Sequence, residues 1–151
     1  MLAERAWIWY PNPLTEDIRH AVGDKMMERY YPISDAIDAG AIATIGSDRI
    51  MPEAIDVWNL IETIVTREVI GGGEESVAPG QRISLRQAIS ALTESAARLT
   101  GMRHRIGTIE PGMQADMIIV DRNPFEIPAT SIHDVSVKST YIDGELVYEA
   151  K

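Results

Sequence analysis

Residues 41–46 are a short run of small apolar side chains that ends on a glycine, and a serine and a carboxylate follow. Gly40 precedes the run and Gly46 closes it, which is typical of a central strand covered on both faces. Asp48 comes two residues after Gly46. Because parallel α/β folds build their sites at the carboxyl ends of strands, Asp48 is a candidate catalytic residue. Spacing alone favours a second interpretation, in which Asp48 caps a turn or the helix that follows Pro52.

Length and charge narrow the class of protein. The chain has 151 residues, enough for one domain with a core, and Asp and Glu number 23 against 14 Lys and Arg, for a net charge of −9. This charge opposes a nucleic-acid partner. The chain has no cysteine, which excludes disulfides, thiolate nucleophiles and Cys-ligated zinc. With no apolar run long enough for a bilayer and no signal peptide, we expect a cytoplasmic protein with no membrane partner.

The first half of the chain alternates strand and helix patterns. Residues 6–10 predict a strand, and residues 16–30 predict a helix with Thr15 as its N-cap. Ser34 begins a short predicted helix that Gly40 can end, and the strand at residues 41–46 follows. The order is that of a βαβ unit.

Two further helices follow. Residues 53–67 predict an amphipathic helix with Trp58 and Ile61 on its buried face, and residues 84–100 predict a second helix that opens with a Ser84–Gln87 capping box. The glycine-rich loop at residues 71–75 lacks the Lys-Ser/Thr pair of a phosphate cradle and carries two carboxylates instead.

From Ile106 the apolar pattern changes to a period of two. Pro111-Gly112 predicts a type II turn, residues 115–120 a strand, and Asp143-Gly144 a type I′ hairpin between strands at residues 136–142 and 145–149. Asp116 and Asp121, which flank the first of these strands, are expected to fix turns. The sequence therefore predicts a small antiparallel unit that begins between Gly101 and Ile106.

Several stretches carry a family resemblance. Residues 105–121 closely resemble the C-terminal signature of the metal-dependent amidohydrolase superfamily, preceded by a helix like that at residues 84–100 and followed by a hairpin like residues 137–148. Residues 45–48, Ile-Gly-Ser-Asp, look like the end of barrel strand eight. Residues 65–67, Val-Thr-Arg, resemble a segment of the branch related to N-acyl-amino-acid and formamide hydrolases.

The resemblance implies an (α/β)8 TIM-type barrel joined to a small antiparallel β-sandwich built from both chain ends. Only the last two barrel strands with their helices, and part of the sandwich, fit within 151 residues. We therefore expect a C-terminal fragment or a truncated reading frame, with residues 1–103 from the barrel and residues 104–151 from the sandwich. Open strand edges and uncovered apolar faces then predict self-association or a missing N-terminal part.

The chemistry that the resemblance implies is hydrolysis of a carbon–nitrogen bond in a small amide-type, non-peptide substrate. A divalent metal, with zinc the expected ion, activates the water. Asp48 matches the strand-eight aspartate that ligates the metal and shuttles the proton. Arg67 could bind a substrate carboxylate in the whole enzyme, although an exposed or salt-bridged arginine is the favoured interpretation.

The remaining family ligands are not matched. The His-x-His pair of strand one, the lysine of strand four and the histidines of strands five and six have no counterpart, and His20, His104 and His133 are expected to be surface or structural residues. One aspartate does not hold a catalytic metal. The chain by itself is thus expected to be inactive, and a non-catalytic association module derived from an amidohydrolase is the alternative.

Overall fold

The computed structural model describes residues 2–5, 11–46 and 56–151. Strand β1 (Leu2–Arg5) pairs in parallel with β2 (Ala43–Gly46), with Leu2 opposite Ala43 and Arg5 opposite Gly46. The helices between the two strands make this a βαβ unit, as the sequence predicts. The strand predicted at residues 6–10 and the start of the helix predicted at residue 53 lie outside the described residues.

The connection from β1 to β2 contains three helices where the sequence predicted two. They are α1 (Pro13–Val22), α2 (Asp24–Met27) and α3 (Ile33–Asp38). The prediction of one helix over residues 16–30 is wrong at both ends of α1. Asn12, not Thr15, is the N-cap, because its side chain accepts hydrogen bonds from the backbone of Leu14 and Thr15. Gly23 ends the helix, since its backbone stands at φ 80° and ψ 160°.

Helix α4 (Val57–Thr66) is buried along almost its whole length and begins at an Asp56 cap. Helix α5 (Leu85–Leu92) opens on the predicted capping box, in which Ser84 and Gln87 exchange hydrogen bonds. The helix predicted to continue to residue 100 is broken at Thr93, which has φ −120° and ψ −90°, and α6 (Glu94–Leu99) follows. The break lies where Gly107 packs closely against Thr93 and Glu94.

The C-terminal segment forms the predicted antiparallel sheet. Its strands are β3 (Met117–Val120), β4 (Val137–Ile142) and β5 (Glu145–Glu149), in the order β3-β4-β5. Asp143 and Gly144 both have positive φ, as a type I′ turn requires. The Oδ1 atoms of Asp116 and Asp121 accept hydrogen bonds from the backbone N–H groups of Asp143 and Ser136, each at 2.8 Å, which confirms their turn-fixing role.

The described residues also include two 3-10 helices, Pro79–Gln81 and Ala129–Asp134. The second joins the main core, which draws on β2, α3, α4 and α5 as well as on Ile132 and Val135. Residues on both sides of the boundary expected near residue 104 therefore share one core.

The β3–β4–β5 sheet carries apolar side chains that remain exposed. They share relative exposures of 46–54% and are Ile118, Ile119, Ile142, Leu146, Val147 and Tyr148. Within the described part of the chain, no helix or second sheet buries these side chains, as a sheet in a protein core requires. Among the described residues, no helix is long and apolar enough to cross a membrane.

Replacing Gly107 with alanine is expected to destabilise the chain by about 2 kcal/mol or more. Gly107 has φ +98°, and a Cβ there would lie 2.7 Å from the Ala97 Cβ and 3.1 Å from the Glu94 Cα. A left-handed conformation costs an alanine about 1–2 kcal/mol, and overpacking adds about 1–3 kcal/mol. Urea unfolding measures the difference.

Gly112→Ala is the matched control, because Gly112 has φ +91° but nothing within 4 Å of its added Cβ. It isolates the backbone strain from the clash. Equal losses of stability in the two variants would contradict the close packing of residue 107 on the helix break.

Candidate functional site

The candidate site begins at the end of β2. Ala43, Thr44 and Ile45 are buried, with relative exposures of 4%, 5% and 8%, and Gly46 is exposed. The buried strand predicted from the sequence is thereby confirmed. Asp48 lies outside the described residues, two positions after the last residue of β2.

Arg67 lies at the C-cap of α4 and is fully buried, so of the exposed or salt-bridged arginine favoured by the sequence, the exposed form is wrong. Its Nη1 donates to the Tyr30 carbonyl oxygen at 3.2 Å, and its Nη2 donates to the carbonyl oxygens of Tyr31 at 2.8 Å and Gln81 at 3.2 Å. The guanidinium therefore joins two segments that are distant in sequence, the α2–α3 connection and the 3-10 helix before α5.

The Arg67 backbone is part of the same arrangement. Its φ is 60°, a left-handed conformation that is uncommon for a residue with a Cβ, and its carbonyl oxygen accepts from the N–H of Val77 at 2.9 Å. The strain is tolerated because the side chain and the backbone are both fixed by long-range hydrogen bonds. Burial also raises the pKa of the neighbouring Tyr30 to about 12, so its hydroxyl stays neutral at physiological pH.

A second buried charge lies on α4. Glu62 is fully buried, and its Oε2 lies 2.7 Å from the Nδ1 of His133 and accepts from the His133 backbone N–H at 2.8 Å. This hydrogen bond to Glu62 raises the pKa of His133. The structural role expected for His133 is confirmed. Sequence analysis missed Glu62, although its position four residues after Trp58 and four before Thr66, both buried, places it on the buried face of α4.

His20 and His104 are both exposed, as expected. His104 lines an open cavity of about 750 Å³ together with Arg98, Arg103 and Glu110. Arg103 is paired there with Glu94 at 3.1 Å. The three histidines thus lie at separate positions in the fold and converge on no common point.

The described residues do not form a metal centre from His, Cys, Asp or Glu side chains. Within residues 2–5, 11–46 and 56–151, no group of three or more His, Cys, Asp or Glu side chains could hold an ion. Because a catalytic zinc takes three protein ligands, these residues do not by themselves fit the metal that the family resemblance implies.

Residues 9–148 match the amidohydrolase family. The chain belongs to that family. The resemblance found in the sequence, which covers essentially the whole chain, is therefore confirmed.

Individual relatives agree with this assignment. The chain is 28% identical over 125 residues to an N-substituted formamide deformylase from Arthrobacter pascens, covering 80% of this chain and 22% of the relative. It is 37% identical over 71 residues to a 5-methylthioadenosine/S-adenosylhomocysteine deaminase from Symbiobacterium thermophilum, covering 41% of this chain and 16% of the relative.

A solved structure shares the fold. An amidohydrolase from Thermotoga maritima superposes with a TM-score of 0.59 at 22% identity, covering 82% of this chain and 26% of that one. The α/β fold with a small antiparallel sheet is therefore shared with that amidohydrolase. The chain spans only about a quarter of the length of these relatives or less.

Arg67→Met is expected to lower the free energy of unfolding by about 3 kcal/mol or more. The variant removes the Arg67 donor from the carbonyl oxygens of Tyr30 and Gln81, whereas the Tyr31 oxygen keeps the Ile33 N–H at 2.8 Å, and each unsatisfied buried acceptor costs about 1–3 kcal/mol. Urea unfolding, followed by circular dichroism, measures the loss.

Arg29→Met is the control, because the Arg29 side chain is 72% exposed in its pair with Asp35. We expect little change in its unfolding midpoint. If Arg67→Met were as stable as this surface variant, the structural role of the Arg67 guanidinium would be refuted.

Proposed function

We propose that this chain is the C-terminal part of a metal-dependent hydrolase that cleaves carbon–nitrogen bonds in small amide-type, non-peptide substrates. One observation carries the proposal: a parallel strand pair in which β2 leads into Gly46-Ser47-Asp48, within a chain whose residues 9–148 match the amidohydrolase family. The strand pair and its helices correspond in this proposal to the last two strands of an (α/β)8 barrel. Residues 104–151 supply part of the sandwich.

The class of bond follows from the relatives. One is named a formamide deformylase and the other a deaminase, and both names denote removal of a group at a carbon–nitrogen bond. The two names give different substrates, an N-substituted formamide and 5-methylthioadenosine/S-adenosylhomocysteine. The proposal for this chain therefore extends to the type of bond and not to one substrate.

Asp48 is the proposed metal ligand and proton acceptor. A carboxylate supplies a hard oxygen to a divalent ion such as zinc and can take a proton from water. Among the described residues, no group of three or more His, Cys, Asp or Glu side chains could hold an ion. Because the family's histidine and lysine ligands have no counterpart in the sequence, the proposal takes the chain alone to be inactive.

The contacts of Arg67 support a positioning role rather than a contact with substrate. Its Nη atoms donate to carbonyl oxygens of two segments, and its side chain is fully buried. Substrate binding by Arg67 stays a prediction, one that would require these hydrogen bonds to be exchanged for a ligand.

The exposed sheet supports a second candidate function, that of a non-catalytic association module. Ile118, Thr140 and Tyr148 form one rung across β3, β4 and β5, and both Ile118 and Tyr148 are about half exposed. Covering such a surface is favourable by about 25 cal/mol per Å² of apolar area. In this function Asp48 is structural and the sheet provides the activity.

Zinc binding tests the role of Asp48. Where the remaining ligands are shared between copies of the chain or come from another polypeptide, we expect zinc to bind in a dialysis equilibrium measured by elemental analysis. Asp48→Asn should weaken that binding by about tenfold or more, since a neutral amide replaces a charged ligand. Asp38→Asn, at an exposed position in α3, is the control and should bind as the original chain does.

Equal zinc affinities in the two variants would show adventitious binding by surface carboxylates and refute the ligand role. Absence of zinc binding, together with no hydrolysis of N-acyl amino acids or amides, would favour the association module instead.

Sedimentation velocity tests the exposed sheet. We expect the chain to self-associate at micromolar concentration and Ile118→Lys to shift it toward monomer, because a charge on a central rung cannot be buried without a partner. Ile109→Lys is the control, since Ile109 is 81% exposed but lies outside the sheet. A monomeric chain that binds no hydrophobic dye would contradict the prediction.

A further inference from the structure

A single carboxylate on α4 receives hydrogen bonds from two other segments. The Oε1 of Glu62 accepts from the Gly71 backbone N–H at 2.7 Å, at the start of the glycine-rich loop. The Oε2 accepts from the backbone N–H of His133 at 2.8 Å and lies 2.7 Å from its Nδ1. Glu62 is 0% exposed, so these donors replace the water that a buried carboxylate requires.

The partner of that carboxylate can exchange protons with solvent. The His133 side chain is 28% exposed, whereas that of Glu62 is fully buried. A histidine changes charge in the physiological range, so His133 is a titratable partner of Glu62 that solvent can reach.

The charged groups that face the His133 ring are both acidic. Glu62 reaches it from α4, and the Oδ1 of Asp134 lies 3.4 Å from its Nε2 within the 3-10 helix Ala129–Asp134. The loop side contributes the backbone of Gly71, where a Cβ would lie 3.9 Å from the ring Cε1. Glu68, which precedes the glycine-rich loop, forms a salt bridge with Arg82 at 2.8 Å. Protonation of His133 therefore meets attraction from two carboxylates.

We propose that Glu62 and His133 form a pH-sensitive tie that holds the glycine-rich loop and the 3-10 helix Ala129–Asp134 against α4. Protonated His133 closes the tie, and its deprotonation loosens both segments. The tie controls how firmly the start of β4 is attached to the main core, because only two residues separate the end of that 3-10 helix from β4. This inference does not depend on the proposed hydrolase function, because neither residue belongs to its site.

The direction of the effect follows from linkage. The hydrogen bond to Glu62 raises the pKa of His133 in the folded chain. Stabilisation is therefore fully present below the ordinary histidine value of about 6.5 and is lost as the pH rises through the raised value. The neutral ring can still donate from Nδ1 to Glu62, so the tie weakens above that pH but is not abolished.

Amide hydrogen exchange of the intact chain tests the proposal, with rates corrected for their intrinsic pH dependence. Between about pH 5.5 and pH 8.5, we expect the opening constants of the Gly71 and His133 amides to rise by about two- to fivefold, the range that partly exposed ion pairs give. In His133→Gln the Gly71 opening constant should stay constant with pH. In the control His104→Gln, which changes an exposed histidine, the rise should be retained.

A titration of the unaltered chain keeps the test independent of variant folding. The side-chain resonances of His133 and the amide shift of Gly71 should follow one common midpoint, while those of His20 and His104 report any global change. Flat opening constants in the unaltered chain, or the same rise in His133→Gln, would overturn the proposal. So would a Gly71 shift that follows the midpoint of another histidine.

Discussion

The buried guanidinium of Arg67 is the contact on which the arrangement around α4 depends. It lies where α4 ends and donates to carbonyl oxygens that are 36, 37 and 14 residues away in sequence. These carbonyl groups belong to segments with little regular structure, so the ladders of helices and strands cannot satisfy them. A planar group with five donors in a fixed geometry can reach carbonyl groups of both segments, whereas a lysine has three donors on a single atom.

Glu62 lies within the helix that Arg67 ends, and it also joins distant segments through backbone hydrogen bonds, but with a side chain of the opposite charge type. The carboxylate gathers backbone donors from the loop and from the 3-10 helix, while the guanidinium gathers backbone acceptors. Two buried ions therefore replace regular hydrogen bonding where irregular segments meet a helix that is otherwise packed by Trp58, Ile61 and Ile64. Such ions define which segments meet, because an unpaired buried charge would be strongly destabilising.

Local chemistry predicted the parts of the fold that nearest neighbours determine. The Ser84–Gln87 box and the Asp143-Gly144 turn were recognisable because their hydrogen bonds and dihedrals involve a few adjacent residues. The helix break at Thr93 was not, since it coincides with the packing of Gly107 from a later segment. The Glu62–His133 contact joins residues 71 positions apart. Its only sign in the sequence is an ionisable residue at a position on the buried face of α4.

The candidate site shows the same difference between features formed by adjacent residues, which the sequence predicts, and contacts between distant residues, which it does not. Asp48 was proposed as a site residue because the strand before it and the signature after it are both contiguous stretches of sequence. Further ligands of the proposed metal could not be found by this means, because a coordination sphere combines side chains from several strands. The chain does fix the strand that precedes Asp48 in sequence: β2 is buried, is paired with β1 and packs into the same core as α4 and α5. The backbone before Asp48 is therefore anchored as far as Gly46, which supports the proposed role of Asp48 as a ligand shared among distant segments.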